Sequence, residues 1–551
     1  MEKAVLVPSD QGFVNDGCRS STQAPLAKPA LSLRDSLALG LSITSRTLLL
    51  ATLLAGCHWD LNDPGSDPLI DRFYFPVGVA TDPNGKFLYV TNGNTDLRYG
   101  GGTLQLIDMD RFDCAVRAFR GDMDSACIDA DHDRMLCQLD PLDPGIVDCA
   151  ESNFIISGET VRLGNFAGSI RIRKTSLKER TLFIGVRGDP SITRVAVNLT
   201  NTPKLNCFDQ LDPKERPDYR LLPDGKTVAA SGCSQSHLSQ IYACAGRPNC
   251  MIDQPQKLPT EPFSMRLDEG TLPSGGKYAR LVVAHLAGGQ VSVIDASVDP
   301  PVVKNVSSPF FSPVDSIGRR GAFSLASSRP TDANATWYLT SNLQASMATF
   351  HIGYLGLDNH VVIPSKTFSV APVFRILGDV TDGRASDSRD ILFDPLTPRA
   401  FFTTNNPPSL VTLDTRVLPE QGTPSVPANL VSSAIDICQS PSHLELRCEQ
   451  PGVAIEQCTA RRLYVVCFLS NQLYTIDPDA AVVTDIVLLG RGPNDVAFNF
   501  GAGSDAEPAH RHAFVTEFAQ STVAEIDLDP KSPTHHRVIA RLGLPPPLRT
   551  P

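Results

Sequence analysis

The feature that most restricts this chain is a strand-rich unit repeated along its length. Its clearest copy runs from Phe75 to Asp108. Val77–Ala80 reads as a first strand, Asp82-Pro83-Asn84-Gly85 as a tight turn, Phe87–Thr91 as a second strand and Thr103–Ile107 as a third. Ala115–Phe119 is expected to supply a fourth. Four further copies keep one interval, from a second-strand residue to the Asp that ends the third: Val282 to Asp295, Phe401 to Asp414, Tyr464 to Asp477 and Phe514 to Asp527 are each thirteen residues apart. Trp337–Asn342 keeps the strand pattern but leads to His351, and Leu182–Val186 leads to Val195–Val197 without an Asp. Asp390–Pro395 and Pro493–Phe498 are first-strand counterparts.

A lone four-stranded unit cannot bury both of its faces. Stacking the units around an axis buries the alternating apolar residues and leaves only short edges. The expected fold is therefore all-β: a seven-bladed β-propeller of four-stranded antiparallel blades over residues 69–543, with Cys-rich insertions near 113–160 and 201–260 and a disordered tail at 544–551. Either Leu69–Tyr74 or Val538–Leu542 suits the outer strand that closes the ring. The Asp after each third strand is expected to accept main-chain N–H groups in a turn, not to do chemistry. Well-dispersed Pro (44) and Gly (39) agree with many turns between short strands. Tyr89-Val90-Thr91-Asn92 and its surroundings resemble the YVTN family of propeller repeats. Related repeats occur in lactonase-type propellers, which hydrolyse sugar lactones near the central channel, but no residue set here maps onto such a site.

Residues 47–56 form an apolar run preceded by Arg46, a signal-peptide shape too short to span a bilayer. Leu54-Ala55-Gly56-Cys57 resembles the lipobox of bacterial lipoproteins. The resemblance implies removal of residues 1–56 and diacylation of Cys57, with 57–68 as a tether. Two acyl chains anchor a protein stably where one does not. The stretch before the run is long and contains Glu2 and Asp35, which points to a start near Leu41. His58 after the lipidated Cys implies outer-membrane retention. The expected location is thus the bacterial cell envelope, with the membrane as one partner through the anchor and an unknown envelope protein or glycan as another. A net charge of -11 without clustered Lys and Arg excludes a nucleic-acid footprint.

Apart from Cys18 and Cys57, the fourteen cysteines fall in three clusters of four: Cys114, Cys127, Cys137, Cys149; Cys207, Cys233, Cys244, Cys250; and Cys438, Cys448, Cys458, Cys467. Even clusters in an exported chain read as disulfides paired within each cluster, the pairings being open. None has the short paired spacing of a zinc site. Asp129, Asp131 and Asp133 resemble the opening of a Ca²⁺ loop, but Arg134 stands where that loop wants Gly, so a solvated acidic loop is preferred. His510, His512, His535 and His536 could gather round a transition metal, with surface histidines the preferred reading. No hydrolase, zinc-protease, nucleotide or c-type haem motif occurs.

The expected function is a noncatalytic binding scaffold for a protein, peptide or glycan. The rivals are a lactonase-type hydrolase and a metal- or redox-associated envelope protein. Ionisable groups converging in the channel with shifted pKa values would favour chemistry, and an apolar channel would favour binding.

Overall fold

The computed structural model describes residues 66–544 except 122–135, 177, 189–190, 200–202, 208–218, 222–226, 230–239, 242–255, 273–274, 299–300, 315–317, 330–334, 345, 356–357, 370–386, 419–425, 428, 451–452, 454 and 501–510. The leader, Cys57, Cys127, Cys233, Cys244, Cys250, His510, the tail from 545, and Asp129, Asp131 and Asp133 lie outside the described residues. Among the described residues no helix is long and apolar enough to cross a membrane.

Seven four-stranded antiparallel blades follow one another along the chain, each built from strands a to d in chain order, with a short hairpin inserted before strand d in blades 1 and 5. Their a strands are Pro76–Thr81, Ala167–Lys174, Pro262–Thr271, Ala322–Ser327, Ser388–Phe393, Pro441–Cys448 and Pro493–Phe500. Each a strand packs against those of the two neighbouring blades, so the a strands surround the axis. Strands b and c carry the apolar residues that fill the spaces between blades. Tyr89, Leu104 and Leu106 of blade 1 meet Ile170, Leu182, Ile184 and Val195 of blade 2, all buried. Period-2 alternation on strands with two covered faces gives these near-continuous apolar runs.

The Asp residues that end the c strands cap turns. Asp295 accepts from Ser297 N–H at 2.9 Å, Asp477 from Asp479 and Ala480 N–H at 2.9 Å, and Asp527 from Asp529 N–H at 2.8 Å. Asp414 does the same for Arg416 N–H. Asp108 instead caps a helix, accepting from Arg111 N–H at 3.1 Å.

That helix, Met109–Arg120, occupies the segment expected to be strand d of blade 1. Its signals are local: Asp108 at the N-cap, Met109, Phe112, Ala115 and Val116 buried on one face, and left-handed Gly121 at the C-cap. Apolar contact at a spacing of three and four outweighs the short strand-like run at Ala115–Phe119. Strand d of blade 1 is Ile155–Leu163.

The ring closes without exchanging a terminal strand. Arg537–Leu542 is strand d of blade 7, and Leu69–Tyr74 forms no strand. The insertion of blade 1 instead returns as a hairpin, Cys137–Leu139 and Val147–Cys149, whose second strand pairs in parallel with Arg537–Leu542. The Cys137–Cys149 disulfide staples the hairpin, and Arg541 bonds Asp140 within it. Cys438–Cys467 and Cys448–Cys458 staple blade 6, and Cys114 is disulfide-bonded as well. Cys207 ends strand d of blade 2.

Candidate functional site in the axial channel

Six blades enter strand a through a residue in the left-handed region: Phe75, Phe166, Glu261, Gly321, Ser440 and Gly492. In each, the carbonyl of that residue accepts the N–H of the residue just past or near the end of strand b: Gly93, Arg187, Leu286, Asn342, Phe468 and Phe518. The turn places the next residues against the axis. Gly321 and Gly492 adopt this conformation without the penalty a side chain brings.

At the start of strand a, pairing with strand b is irregular in all seven blades, including blade 5, which lacks the turn: between Pro76 and Gly78, Ala167 and Ile170, Pro262 and Ser264, Ala322 and Leu325, Ser388 and Ile391, Pro441 and His443, and Pro493 and Val496. Bulges re-aim side chains. The skipped residues, Val77, Gly168, Ser169, Phe263, Phe323, Ser324, Arg389, Asp390, Ser442, Asn494 and Asp495, all line one axial cavity of about 380 Å³.

The threonine of the Tyr89–Asn92 motif holds this arrangement. Thr91 Oγ1 accepts from Gly78 N–H at 2.9 Å and donates to Gly168 O of the next blade at 2.7 Å. Thr340 repeats the pattern with Ser324 N–H and Arg389 O, and Thr516 with Asp495 N–H and Val77 O. One hydroxyl therefore fixes the bulge of its own blade and of the next.

At the cavity wall His443 faces three carboxylates: Nδ1 lies 3.2 Å from Asp390, and Nε2 lies 3.6 Å from Glu445 and 3.7 Å from Asp495. Burial works against its charge, but hydrogen bonds to Asp390 and Glu445 and the charge of Asp495 raise its pKa to about 10. Burial alone would push Asp390 up. His443, the Arg266 guanidinium at 3.4 Å and Ser324 Oγ at 2.5 Å hold it below the usual carboxylate range. Glu445 is likewise lowered against the effect of burial, by Arg447, His443 and Arg266. Asp390 and Asp495 also accept main-chain N–H groups of the next blade, from Leu444 at 2.8 Å and Val79 at 3.2 Å. His443 is thus protonated at neutral pH and Asp390 and Glu445 are ionised: the group supplies mutually paired charge and leaves no neutral imidazole to act as a base. Ser324 donates to Asp390, and Ser442 to the carbonyls of Val466 and Asn494.

Arg171, Arg187, Arg266 and Arg389 also line the cavity. Burial and the nearby Arg266 charge lower the Arg171 pKa. Arg187 stacks over Phe263 and Arg389 over Phe323, at 5.3 Å and 5.2 Å from the ring centroids. Arg187 Nε is buried without a hydrogen-bond partner. Phe166, Phe263, Phe323, Phe468 and Phe518 complete an aromatic rim. Around this cavity the four arginines and His443 stand against Asp390, Asp495 and Glu445, and Arg187 and Arg389 also pair with Glu261 at 3.3 Å and Asp387 at 2.6 Å. None of these residues was singled out from the sequence except Asp390 and Asp495 as parts of strand segments. The bulges break the two-residue period that would have marked them.

The histidines are divided. His512 pairs with Glu525 at 2.6 Å beside Asp113, whereas His535 and His536 meet Glu449. His536 is buried, contrary to the surface expectation, because the turn after strand c of blade 7 folds it against blade 6.

No protein-family model matches the chain, and no curated protein matches it. Among solved structures it is similar to a putative 6-phosphogluconolactonase from Bacteroides uniformis, at 12% identity over 75% of this chain and 84% of that one, TM-score 0.36. It is also similar to Kuenenia stuttgartiensis hydrazine synthase, at 9% identity over 85% and 98%, TM-score 0.42. A Lactobacillus plantarum protein matches at 12% identity over 78% and 89%, TM-score 0.39. Likeness of this order carries nothing about activity.

Proposed function

We propose that the protein is an envelope-anchored, noncatalytic propeller that holds a carboxylate-bearing peptide or acidic glycan in its axial cavity. The observation that carries this reading is the set of four arginines behind a rim of phenyl rings, two of which, Phe263 and Phe323, carry Arg187 and Arg389. Planar guanidinium groups match carboxylate geometry bidentately, and those stacked on rings are pre-oriented for it. The rim suits an apolar group beside the acid. Rigid scaffolds commonly present binding residues in this way. Anchoring rests on Leu54–Cys57.

The test is fluorescence anisotropy with short acidic aromatic peptides, each compared with its carboxamide. The reading expects saturable binding of the free acids and at least a tenfold loss for the amides. Equal affinity for acid and amide would overturn it. Replacing Cys57 by Ala is expected to release the protein from the membrane fraction.

The second reading is a lactonase-type hydrolase, favoured by the convergence of His443, Asp390 and Glu445 in the channel. The same shifts that mark this convergence weigh against it, since His443 is already protonated at neutral pH.

A further inference from the structure

Away from the axial cavity, Glu449 of blade 6 and His535 and His536 of blade 7 bring three ligand atoms within 4.8 Å of one another. We infer that these residues form a binding site for a borderline divalent transition-metal ion, of which zinc(II) is the type, tying blade 6 to blade 7.

The local structure prepares the three side chains. Glu449 follows strand a of blade 6, where its N–H donates to Ala460 O at 2.9 Å and the adjacent Cys448 is bonded to Cys458. His535 and His536 end the turn between Thr522–Asp527 and Arg537–Leu542. There Asp527 accepts from Thr534 Oγ1 at 2.6 Å, and its carbonyl accepts His536 N–H at 2.8 Å. Consecutive side chains of an extended segment point to opposite faces. His536 is instead left-handed, with φ 57°, and the two imidazoles come to the same side with ring centroids 3.7 Å apart. Such backbone costs energy for a residue with a side chain, and it is commonly found where a site needs it.

The donor atoms point to a cation. His536 Nδ1 lies 3.0 Å from Asp485 Oδ2. A carboxylate there holds the proton on Nδ1 and leaves the Nε2 lone pair for a metal, the usual second partner of a ligating histidine. Nε2 of His535 and Nε2 of His536 are both buried without a hydrogen-bond partner. Only 5% of the His536 side chain and 9% of the Glu449 side chain are exposed, with His536 Nε2 3.7 Å from Glu449 Oε1. Two acceptor atoms facing each other at that distance repel unless a proton or a metal ion lies between them. Two imidazoles and one carboxylate leave a fourth position open on a tetrahedral ion. Bonds of roughly 2.1 Å set ligand atoms about 3.4 Å apart, so the site closes modestly on binding. Around the carboxylate, Tyr464 Oη donates to Glu449 Oε1 at 3.4 Å and Arg462 Nε lies 3.6 Å from Oε2. The cation therefore binds the Oε1 side. The Asp113–His512–Glu525 group differs, because His512 Nδ1 already pairs with Glu525 at 2.6 Å.

The test uses the full chain without a polyhistidine tag, stripped with chelator, desalted and loaded with zinc(II) alone. One tightly held zinc per chain above the buffer blank is expected, and cobalt(II) in its place gives visible bands of tetrahedral intensity. His535→Ala with His536→Ala abolishes the stoichiometric site. Asp485→Asn weakens affinity roughly ten- to a hundredfold. His512→Ala leaves it unchanged. Absence of zinc and of tetrahedral cobalt bands in the unaltered chain overturns the inference whatever the variants do. Cobalt absorption from thiolate ligands, or zinc retained by the double variant, overturns it in favour of a site elsewhere.

Discussion

Strands a and b of each blade pair along most of their length yet are built to opposite rules. Strand b is regular, apolar and buried on both faces, as in Leu182, Phe183 and Ile184. Strand a begins with a left-handed turn or a skipped pairing, and its skipped residues face the axis. The ring is therefore held together by one strand of each blade and given its chemistry by the next, joined by hydroxyls such as Thr91. Changes to strand b should cost stability and spare binding. Changes to the cavity side chains of strand a outside the charged group around His443 should do the reverse.

The largest effect is expected at Arg180, the first part of strand b in blade 2, which meets Asp82 of blade 1 at 3.1 Å with neither side chain exposed. Arg180→Met leaves Asp82 buried without its charge partner and should lower the unfolding free energy by about 3–5 kcal/mol in a denaturant titration. Anionic-peptide affinity of the remaining folded protein should stay within twofold.

Next comes the cavity change Arg389→Gln on strand a of blade 5. Loss of hydrogen bonds to a charged ligand group is worth about 1.5–3 kcal/mol, so affinity should fall roughly ten- to a hundredfold by anisotropy with little change in melting temperature. A stability loss as large as that of Arg180→Met would erase the distinction between the strands. Thr91→Val sharpens it from the other side. Leaving Gly78 N–H without its partner should cost about 1–3 kcal/mol, and because the hydroxyl fixes two bulges the variant should lose both stability and affinity.

Two further effects concern pH and turns. The His443 pKa is raised above its ordinary 6.5 to about 10, so its stabilising charge is complete below pH 6.5 and fades as pH rises through 10. Asp390 and Glu445 are lowered, so their contribution is complete above pH 4.5 and is lost as pH falls through their depressed values. Thermal melts should therefore show an alkaline decline that His443→Gln removes. The smallest effect is expected at Asp477→Ala, where loss of a turn cap should cost about 0.5–1.5 kcal/mol and leave affinity untouched.

The same division explains what the sequence disclosed. Strands b and c follow a two-residue period, and the thirteen-residue interval from Tyr464 to Asp477 records a hairpin of fixed length with a capped turn, so the blades were legible. The cavity was not, because Arg389, Asp390 and Asp495 face the axis through bulges that no periodicity marks. Met109–Arg120 was misread although Asp108, Gly121 and the spacing of Met109, Phe112 and Val116 spelled a capped helix. His535 and His536 stood out as a histidine pair, but Glu449 did not, because only the packing of blade 6 on blade 7 brings it to them.

The central claim, that bulged a strands make the axial cavity an anion-binding site, is tested most directly by a crystal structure of the protein with 4-bromophenylacetate, the bromine located by its anomalous signal. The account predicts bromine against the rim of Phe263, Phe323 and Phe518, with the carboxylate on Arg187 or Arg389. Bromine found only outside the axial channel, or none at saturating concentration, would contradict it.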